Sequence, residues 1–379
     1  MIILSISPSL EENRHHSSVE DLRRYAILVD GWRVGSMSGR PANGLRGSDH
    51  RPATISTTGG DADSSPAAPV EARTLGGHEQ MVWIEGGTFT MGSDSHYPEE
   101  APAHRVSVSG FWIDPRPVTN SEFSRFVSRT RYVTVAERTP TAADYPDADA
   151  DQLVAGSSVF VKPDRPVRMD HPYQWWHWVP GADWRHPQGP GTSVRKRPDH
   201  PVVHIAWDDV VAYADWAGKH IPTEAEWEYA CRGGLERAEY AWGDDFEPGD
   251  TVMANTWHGE FPHHHIRADR YEGTSPVGSF PSNGYGLDDM VGNVWEWTQD
   301  WYTAHQGQEH ACCVNVDPRG GTEEGSRDQA QSLIGRRVIK GGSHLCAQNY
   351  CRRYRPAARM AQAVETSTSH LGFRLIIRP

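Results

Sequence analysis

The chain has 379 residues, enough for one large domain or two of ordinary size, and its composition (37% hydrophobic, 10% aromatic, 23% charged) is typical of a globular protein. Its formal net charge of -13 argues against a nucleic-acid-binding protein, because contacts with phosphates need a basic face. No apolar run approaches the roughly 20 residues that cross a bilayer, no basic residues precede the short apolar patch at the N-terminus, and five cysteines are too few for a disulfide scaffold. We therefore expect a protein of a reducing bacterial cytoplasm with neither a nucleic-acid nor a membrane partner. We also expect it to be a monomer.

The first 80 residues differ in composition from the rest of the chain. They are rich in Ser, Gly, Pro, Arg and Asp, as in "GRPANGLRGSDHRPATISTTGGDADSSPAAPVEA". Such a segment buries too little apolar surface to offset the entropy lost on ordering it. We expect residues 1–80 to be a disordered N-terminal extension and residues 81–379 to form one folded domain.

Strands are predicted at the start of the folded part. "MVWIEGGTFTMGS" (81–93) alternates apolar residues around a Gly-Gly pair, which predicts a β-hairpin. "HRVSVSGFWID" (104–114) predicts a further strand.

Three helices are predicted next. "PVTNSEFSRFVSRT" places Thr119 and Glu122 at the spacing of a capping box, ahead of an apolar stripe. "AWDDVVAYADWAGKH" predicts a second helix that ends near Gly218. "IPTEAEWEYACRGG" predicts a third, with Thr223 and Glu226 at its start and a Gly-Gly pair at its end.

Long segments between these elements show little periodicity. Residues 139–200 include "HPYQWWHWVPGADWRHPQGPG", and the chain is again rich in loops from residue 251 to a last strand in "HLGFRLIIR". A structureless stretch of this length inside a domain is unusual unless it is functional. The sequence therefore predicts an α+β protein, a single loop-rich domain with little regular secondary structure.

The segment "GGSHLCAQNYCRRYR" contains Cys346 and Cys351. Five residues correspond to a rotation of about 140° on a helix and to opposite faces of a strand, so a turn or loop is needed to bring the two thiols together. Three interpretations stay open on spacing alone: two unrelated buried cysteines, a disulfide, or a thiolate pair for a soft ion such as Cu(I). Zinc is disfavoured because no second pair with zinc spacing lies nearby, and the adjacent Cys312 and Cys313 make a poor chelator.

Carboxylates and glycines alternate in "NGYGLDDMVGNVWEWTQDWY" (283–302). Hard cations such as Ca²⁺ bind carboxylates and loop carbonyls, but on sequence alone a capped turn with solvated acids is the better explanation of the pattern. The "HHH" at 263–265 indicates an exposed loop, because consecutive side chains diverge.

Six segments, in this order, resemble the formylglycine-generating enzymes, also called sulfatase-modifying factors: "IEGGTFTMGS", "HPVVHIAWDDVVAYADWAGKHIPTEAEWEYACRGG", "ANTWHGEFP", "NGYGLDDMVGNVWEWTQDWY", "RVIKGGSHLCAQNYCRRYRPAAR" and "HLGFRL". The resemblance covers residues 81–379 and implies the C-type-lectin-like fold of that family, with 81–379 as its catalytic domain. The wider superfamily shares "GGTFTMG", "PTEAEWEYA" and "GNVWEW", so these elements indicate the fold. The cysteine pair indicates the formylglycine-generating branch.

The resemblance implies a copper-dependent oxidase that uses O₂ to convert the cysteine of a CxPxR motif, in an unfolded or nascent sulfatase, to Cα-formylglycine. Cys346 and Cys351 would bind Cu(I), with the substrate thiol as a third sulfur ligand. Ser343 and Tyr350 would form hydrogen bonds in the pocket for oxygen and thiol, and Trp295 would shape it.

The resemblance also implies two structural calcium sites. The first would use Asn255, Asp269 and the carbonyls of Thr256 and Tyr271. The second would use Asp289, Glu296 and the carbonyls of Met290, Gly292 and Val294.

The chain departs from its relatives at several positions. Ala214, Pro356 and Leu375 stand where secreted animal relatives have cysteines, which leaves Cys231 without a partner and agrees with a reducing compartment. The stretch "AQAVETSTSHLGFR" replaces a more polar family segment at the substrate groove, so peptide specificity beyond CxPxR is open.

Two alternatives to this function remain. A superfamily relative with another oxidative activity on thiols is expected to hold iron with histidines, and no suitable histidine cluster accompanies these motifs. A non-catalytic binding module of the same fold has no need for the thiol pair.

Overall fold

Regular secondary structure is sparse in the computed structural model, which describes residues 78–142, 153–266, 270–305, 314–328 and 334–379. The strands are β1 (Val82–Ile84), β2 (Gly87–Met91), β3 (His104–Val108), β4 (Phe111–Ile113), β5 (Gly156–Phe160), β6 (Trp176–Pro180), β7 (Gly259–Glu260), β8 (His264–His265), β9 (Trp295–Trp301), β10 (Asn315–Val316), β11 (Arg336–Lys340), β12 (Arg359–Ala363), β13 (Leu371–Gly372) and β14 (Ile376–Ile377). The helices are α1 (Asn120–Thr130), α2 (Trp207–Ala217), α3 (Glu224–Arg232) and α4 (Glu323–Ser326). The fold is therefore α+β and rich in loops, as predicted.

The strands form small sheets whose members come from distant parts of the chain. The four-stranded sheet has the order β12-β11-β9-β13, in which β11 is antiparallel to both neighbours and β13 is parallel to β9. Two three-stranded sheets have the orders β1-β4-β14 and β10-β3-β2, and β5 with β6 and β7 with β8 form two-stranded ladders. Because β14 pairs with β4, the C-terminal segment ties the two ends of the described chain together.

The predicted hairpin over 81–93 is wrong. β1 pairs with β4, whereas β2 pairs with β3, so the chain crosses from one sheet to another between β1 and β2. The predicted strand over 104–114 splits into β3 and β4 for the same reason. Gly86 lies at this crossing because a Cβ there would be 2.7 Å from the carbonyl oxygen of Val108.

The helix ends follow the sequence prediction. At the start of α1, the Thr119 side chain accepts a bond from the Glu122 N–H and the Glu122 carboxylate accepts one from the Thr119 N–H at 2.8 Å. Thr223 and Glu226 form the same capping box at the start of α3. The second helix, α2, stops at Gly218, whose φ of 64° is the left-handed conformation that favours glycine.

Aromatic side chains dominate the main core cluster. Phe123 and Phe126 of α1 pack against Tyr213 of α2, and Trp295 and Trp297 of β9 belong to the same cluster. Both cysteines of the predicted pair, at 346 and 351, lie in this cluster as well. The loop that carries them is therefore anchored in the best-packed part of the molecule.

Several predictions fall outside the described residues. The N-terminal extension, 1–80, is described only at His78–Gln80, which form a 3₁₀ turn. Cys312 and Cys313 also lie outside the described ranges. Among the helices that the structure describes, none is long and apolar enough to cross a membrane.

Candidate active site

Two tight turns after β11 bring the cysteines together. The turn opens at Gly342, whose φ of 71° and close approach to the Arg353 backbone leave no room for a side chain. The Cys346 N–H then donates to the Ser343 carbonyl, and the Cys351 N–H donates to the Ala347 carbonyl, both at 2.9 Å. The expectation that only a turn or loop could pair these thiols is confirmed.

The two sulfur atoms lie 3.0 Å apart and are almost inaccessible, with Cys346 1% and Cys351 2% exposed. Both cysteines are free, and their separation exceeds the roughly 2.05 Å of a disulfide bond. No group of three His, Cys, Asp or Glu side chains converges as a metal site in the part of the chain that the structure describes. The pair therefore offers an ion two soft sulfur ligands, a donor set that fits Cu(I) and does not fit zinc.

The two thiols differ in acidity. A hydrogen bond from the Cys346 thiol, together with the nearby Arg353 guanidinium, lowers the pKa of Cys351 to about 6. Burial raises the pKa of Cys346 well above its usual value. The pair therefore loses its first proton readily and holds the second one, which a bound metal ion would have to displace.

Arg353 is held in place by two residues from a distant loop. Its Nε lies 3.2 Å from a carboxylate oxygen of Glu99, and its guanidinium packs on the ring of Tyr97. The Tyr97 hydroxyl in turn accepts a hydrogen bond from the Arg352 N–H at 3.1 Å. These contacts fix a positive charge beside Cys351.

Ser343 and Trp295 both form hydrogen bonds with His370, and Ser343 also contacts the thiol pair. The Ser343 N–H donates to the Cys346 sulfur at 3.4 Å, and its hydroxyl lies 2.8 Å from Nδ1 of His370. The Trp295 N–H donates to the His370 carbonyl at 2.9 Å. The indole N–H of Trp295 is buried and has no hydrogen-bond partner among the described residues, which leaves a donor for a ligand.

Tyr350 forms the boundary between the cysteine loop and an aromatic cluster. Its ring stacks on Phe261 with the centroids 4.5 Å apart, and it meets Trp175 edge-on. Burial raises the pKa of its hydroxyl, which therefore stays protonated as a hydrogen-bond donor. The structure thus brings Ser343, Tyr350 and Trp295 around the cysteine loop.

Four neighbours of the pair were missed by the sequence predictions: Tyr97, Glu99, Arg353 and His370. Arg353 carried a usable signal, a cation two residues from a candidate thiolate. Tyr97 and Glu99 lie about 250 residues before the cysteines, and His370 lies on another loop. Only the fold makes these three neighbours.

Three residues of the first predicted calcium site border one small cavity of about 20 Å³. Asn255, Thr256 and Tyr271 line it, whereas Asp269 lies outside the described residues. The Asn255 Nδ2 donates to the Gly273 carbonyl at 3.0 Å, which leaves Oδ1 as the ligand atom of that side chain. A cavity of this size is large enough for one water molecule or a small ion.

The two carboxylates of the second predicted site have different surroundings. Burial raises the pKa of Asp289 to about 6, and its Oδ2 accepts a bond from the Gly278 N–H at 2.8 Å. Glu296 already forms two bonds of 2.8 Å with Arg374 and a third with the Trp227 indole. Asp289 therefore fits a cation ligand better than Glu296, whose charge is largely compensated.

Comparisons with known proteins place these features in a family. Residues 66–379 match the model of the sulfatase-modifying factor enzyme 1-like domain. The chain is 50% identical over 303 residues to the formylglycine-generating enzyme of Mycobacterium tuberculosis, covering 79% of this chain and 98% of that protein. It is 37% identical over 310 residues to the inactive C-alpha-formylglycine-generating enzyme 2 of Mus musculus, covering 79% of this chain and 86% of that protein. The solved structure of PvdO from Pseudomonas aeruginosa has a TM-score of 0.51 at 24% identity, over 78% of this chain and 93% of that one, which shows a shared fold.

Proposed function

Because the chain belongs to the formylglycine-generating enzyme family, we propose that it is an oxidase that converts a peptidyl cysteine to Cα-formylglycine. Membership alone does not decide activity, since a relative in the same family is named inactive. The observation that carries the proposal is the pair of free thiols 3.0 Å apart in a buried loop. A binding module of the same fold would have no use for such a pair.

The number of electrons transferred shows that the reaction needs a second reductant besides the substrate cysteine. Conversion of the –CH₂–SH group to an aldehyde, with release of H₂S, removes two electrons from the cysteine and takes one oxygen atom from solvent or O₂. Reduction of O₂ to water consumes four electrons, so two more must come from a second reductant. A pair of small thiols that become a disulfide balances the equation, and the products are the aldehyde, H₂S, one water and that disulfide.

We propose Cu(I) as the cofactor, held by the sulfurs of Cys346 and Cys351. The ion would bind the substrate thiolate as a further soft ligand and supply the electron transfer to O₂. The protein's part is to deliver two thiolates in a site that excludes water. The low pKa of Cys351 gives the first thiolate, and the Arg353 guanidinium offsets part of the negative charge that builds up there.

The neighbouring residues orient the reacting groups in this proposal. Tyr350 belongs to the cysteine loop, stacks on Phe261 and stays protonated, so its hydroxyl would be one donor to the reacting groups. The buried indole N–H of Trp295, which has no partner among the described residues, would be a second donor for a bound ligand. The Ser343 hydroxyl is a third candidate donor, and its hydrogen bond with His370 decides whether its proton is available.

We propose that two Ca²⁺ ions stabilise the segments around Asn255 and Asp289. The small cavity at Asn255 supports the first site. The buried carboxylate of Asp289, which has no ion-pair partner among the described residues, supports the second. Cations at these places would cross-link segments that contain little regular secondary structure.

The proposed substrate is a CxPxR segment of a sulfatase before it folds. The buried position of both thiols requires a peptide that can extend into the site, which a folded protein surface cannot do. The test is to incubate the purified, Cu(I)-loaded and Ca²⁺-bound protein with a CxPxR peptide, O₂ and a small thiol. Mass spectrometry should show the loss of sulfur and two hydrogens and the gain of one oxygen.

Cys231→Ala is the matched control, because Cys231 is also a buried free cysteine but lies in a different core cluster. This variant should convert the peptide as the parent does, whereas Cys346→Ala should not. An unchanged peptide mass with copper and calcium present would rule out the proposed function.

A further inference from the structure

Ser343 lies between the thiol pair and a buried histidine. Its hydroxyl oxygen is 2.8 Å from Nδ1 of His370 and accepts a hydrogen bond from the Leu345 N–H at 3.2 Å. A serine hydroxyl has one proton and two acceptor lone pairs. The Leu345 N–H uses one lone pair, so the direction of the His370 bond decides what the hydroxyl has left to offer.

His370 is a neutral ring in a fixed position. Burial holds its pKa well below the usual value, with smaller contributions in the same direction from His344 and His204. Its carbonyl is bonded to the Trp295 N–H, and its ring packs against Trp176 with the centroids 4.8 Å apart. A neutral imidazole carries one proton, on Nδ1 or on Nε2, so the ring has two distinct states.

The two states have opposite consequences for Ser343. If Nδ1 of His370 is bare, it accepts the Ser343 proton, and the hydroxyl can offer only a lone pair to the pocket. If Nδ1 carries the proton, it donates that proton to the second lone pair of the Ser343 oxygen. The hydroxyl proton of Ser343 can then be donated into the pocket. The Cys346 sulfur lies 3.4 Å from the Ser343 backbone nitrogen, and a thiolate there accepts hydrogen bonds and would repel a lone pair.

We propose that His370 is protonated on Nδ1 and acts as a positioning residue that directs the Ser343 hydroxyl proton into the thiol pocket. The inference deepens the proposed function and rests on it, since it assumes that the sulfurs react as thiolates. It adds a residue from the C-terminal loop to the site and gives Ser343 a defined donor role.

Two other buried histidines serve as internal references for the tautomer. Nδ1 of His344 lies 2.8 Å from the Asn293 carbonyl, which can only accept, so this ring carries its proton on Nδ1. Nε2 of His204 lies 2.9 Å from the Pro187 carbonyl, so this ring carries its proton on Nε2. Each is buried like His370.

The test that does not depend on turnover is NMR of the full-length protein labelled with ¹⁵N-histidine. The ring nitrogens of His370, assigned from their loss in His370→Asn, should show the pattern of His344, with a protonated Nδ1. The Ser343→Ala variant should shift the Nδ1 signal. A pattern that matches His204, with a protonated Nε2, would overturn the inference even if the enzyme is active.

Kinetics test the consequence of the bond. His370→Leu should lower kcat for the CxPxR peptide roughly tenfold with little change in KM, because one hydrogen bond is lost where charge develops. His370→Asn should keep kcat within roughly threefold, because the amide N–H can replace Nδ1–H. Adding His370→Leu to Ser343→Ala should cause no further loss, since His370 acts only through the Ser343 hydroxyl.

The control is His204→Asn. His204 also bonds a serine hydroxyl, Ser157 at 2.7 Å, but that pair does not touch the thiols, so kcat should be unchanged. Additive losses in the Ser343 and His370 variants would overturn the inference. If the wild-type protein makes no formylglycine, the proposed function fails, and the NMR pattern still decides the tautomer.

Discussion

The guanidinium carbon of Arg353 lies 3.9 Å from the centre of the Tyr97 ring. Arg353 belongs to the cysteine loop, and Tyr97 comes from the loop that precedes β3. The contact between the guanidinium and the ring therefore packs these two loops against each other. Glu99 completes the arrangement by accepting a bond from the same guanidinium. These two contacts hold the guanidinium near Cys351, where its positive charge lowers the pKa of that thiol.

We predict that Arg353→Leu makes the metal-free thiol pair less reactive near neutral pH. The guanidinium helps to lower the pKa of Cys351 to about 6, so its removal raises that pKa and reduces the thiolate fraction. The measurement is the rate of iodoacetamide alkylation against pH, whose midpoint should move upward. Arg352→Leu is the control, because Arg352 is more exposed and pairs with Glu239. An unchanged midpoint in Arg353→Leu would contradict the electrostatic role.

Removal of either thiol should abolish tight Cu(I) binding. Removing a residue that only hydrogen-bonds to a metal ligand costs roughly 10–100-fold in metal affinity. The loss of one of the two sulfur ligands themselves should exceed that range. Competition with a chromophoric Cu(I) chelator measures the effect for Cys346→Ala and Cys351→Ala. Cys231→Ala should bind Cu(I) as tightly as the parent. If Cys346→Ala and Cys351→Ala also bind Cu(I) as tightly as the parent, copper binds elsewhere.

The sequence predicts local features of this fold better than distant ones. The capping boxes at Thr119 and Thr223 form as predicted, because each depends on residues three positions apart. The hairpin prediction fails because alternation identifies a strand without identifying its partner, and β4, the partner of β1, also pairs with β14 near the C-terminus. Strand pairing in this molecule is decided by contacts far apart in sequence.

The candidate site shows the same division. The cysteine pair and the position of Ser343 follow from one short segment, and so does the need for a loop between the thiols. His370, which bonds Ser343, and Glu99, which holds Arg353, lie on separate loops and enter the site only through tertiary packing. No periodicity or spacing in the sequence connects them with the cysteines.

Calcium removal should destabilise the protein through Asp289. An ion bound only to the folded state, at 100 times its Kd, adds about 2.7 kcal/mol to the free energy of unfolding. Excess EGTA should therefore lower the Tm of the parent, and Asp289→Ala should remove part of the response. Asp288→Ala is the matched control, because the adjacent Asp288 carboxylate bonds Ser282 and lies outside the predicted ligand set. Identical melting curves with EGTA and with Ca²⁺ would exclude structural calcium.

Acid should destabilise the protein through its buried histidines, and His204 provides the clearest case. Burial lowers the pKa of His204 to about 4 in the folded state, whereas an unfolded histidine titrates near 6.5. Between these values the unfolded chain binds more protons, so the free energy of unfolding falls as the pH falls from about 6.5 to about 4. The full shift corresponds to about 3 kcal/mol.

His204→Asn isolates this contribution, since asparagine tolerates the positive φ of 62° at this position. The free energy of unfolding, measured by urea denaturation, should fall more for the parent than for His204→Asn as the pH is lowered from 7 to 4. A constant difference for His204→Asn would mean that His204 is not held neutral by burial.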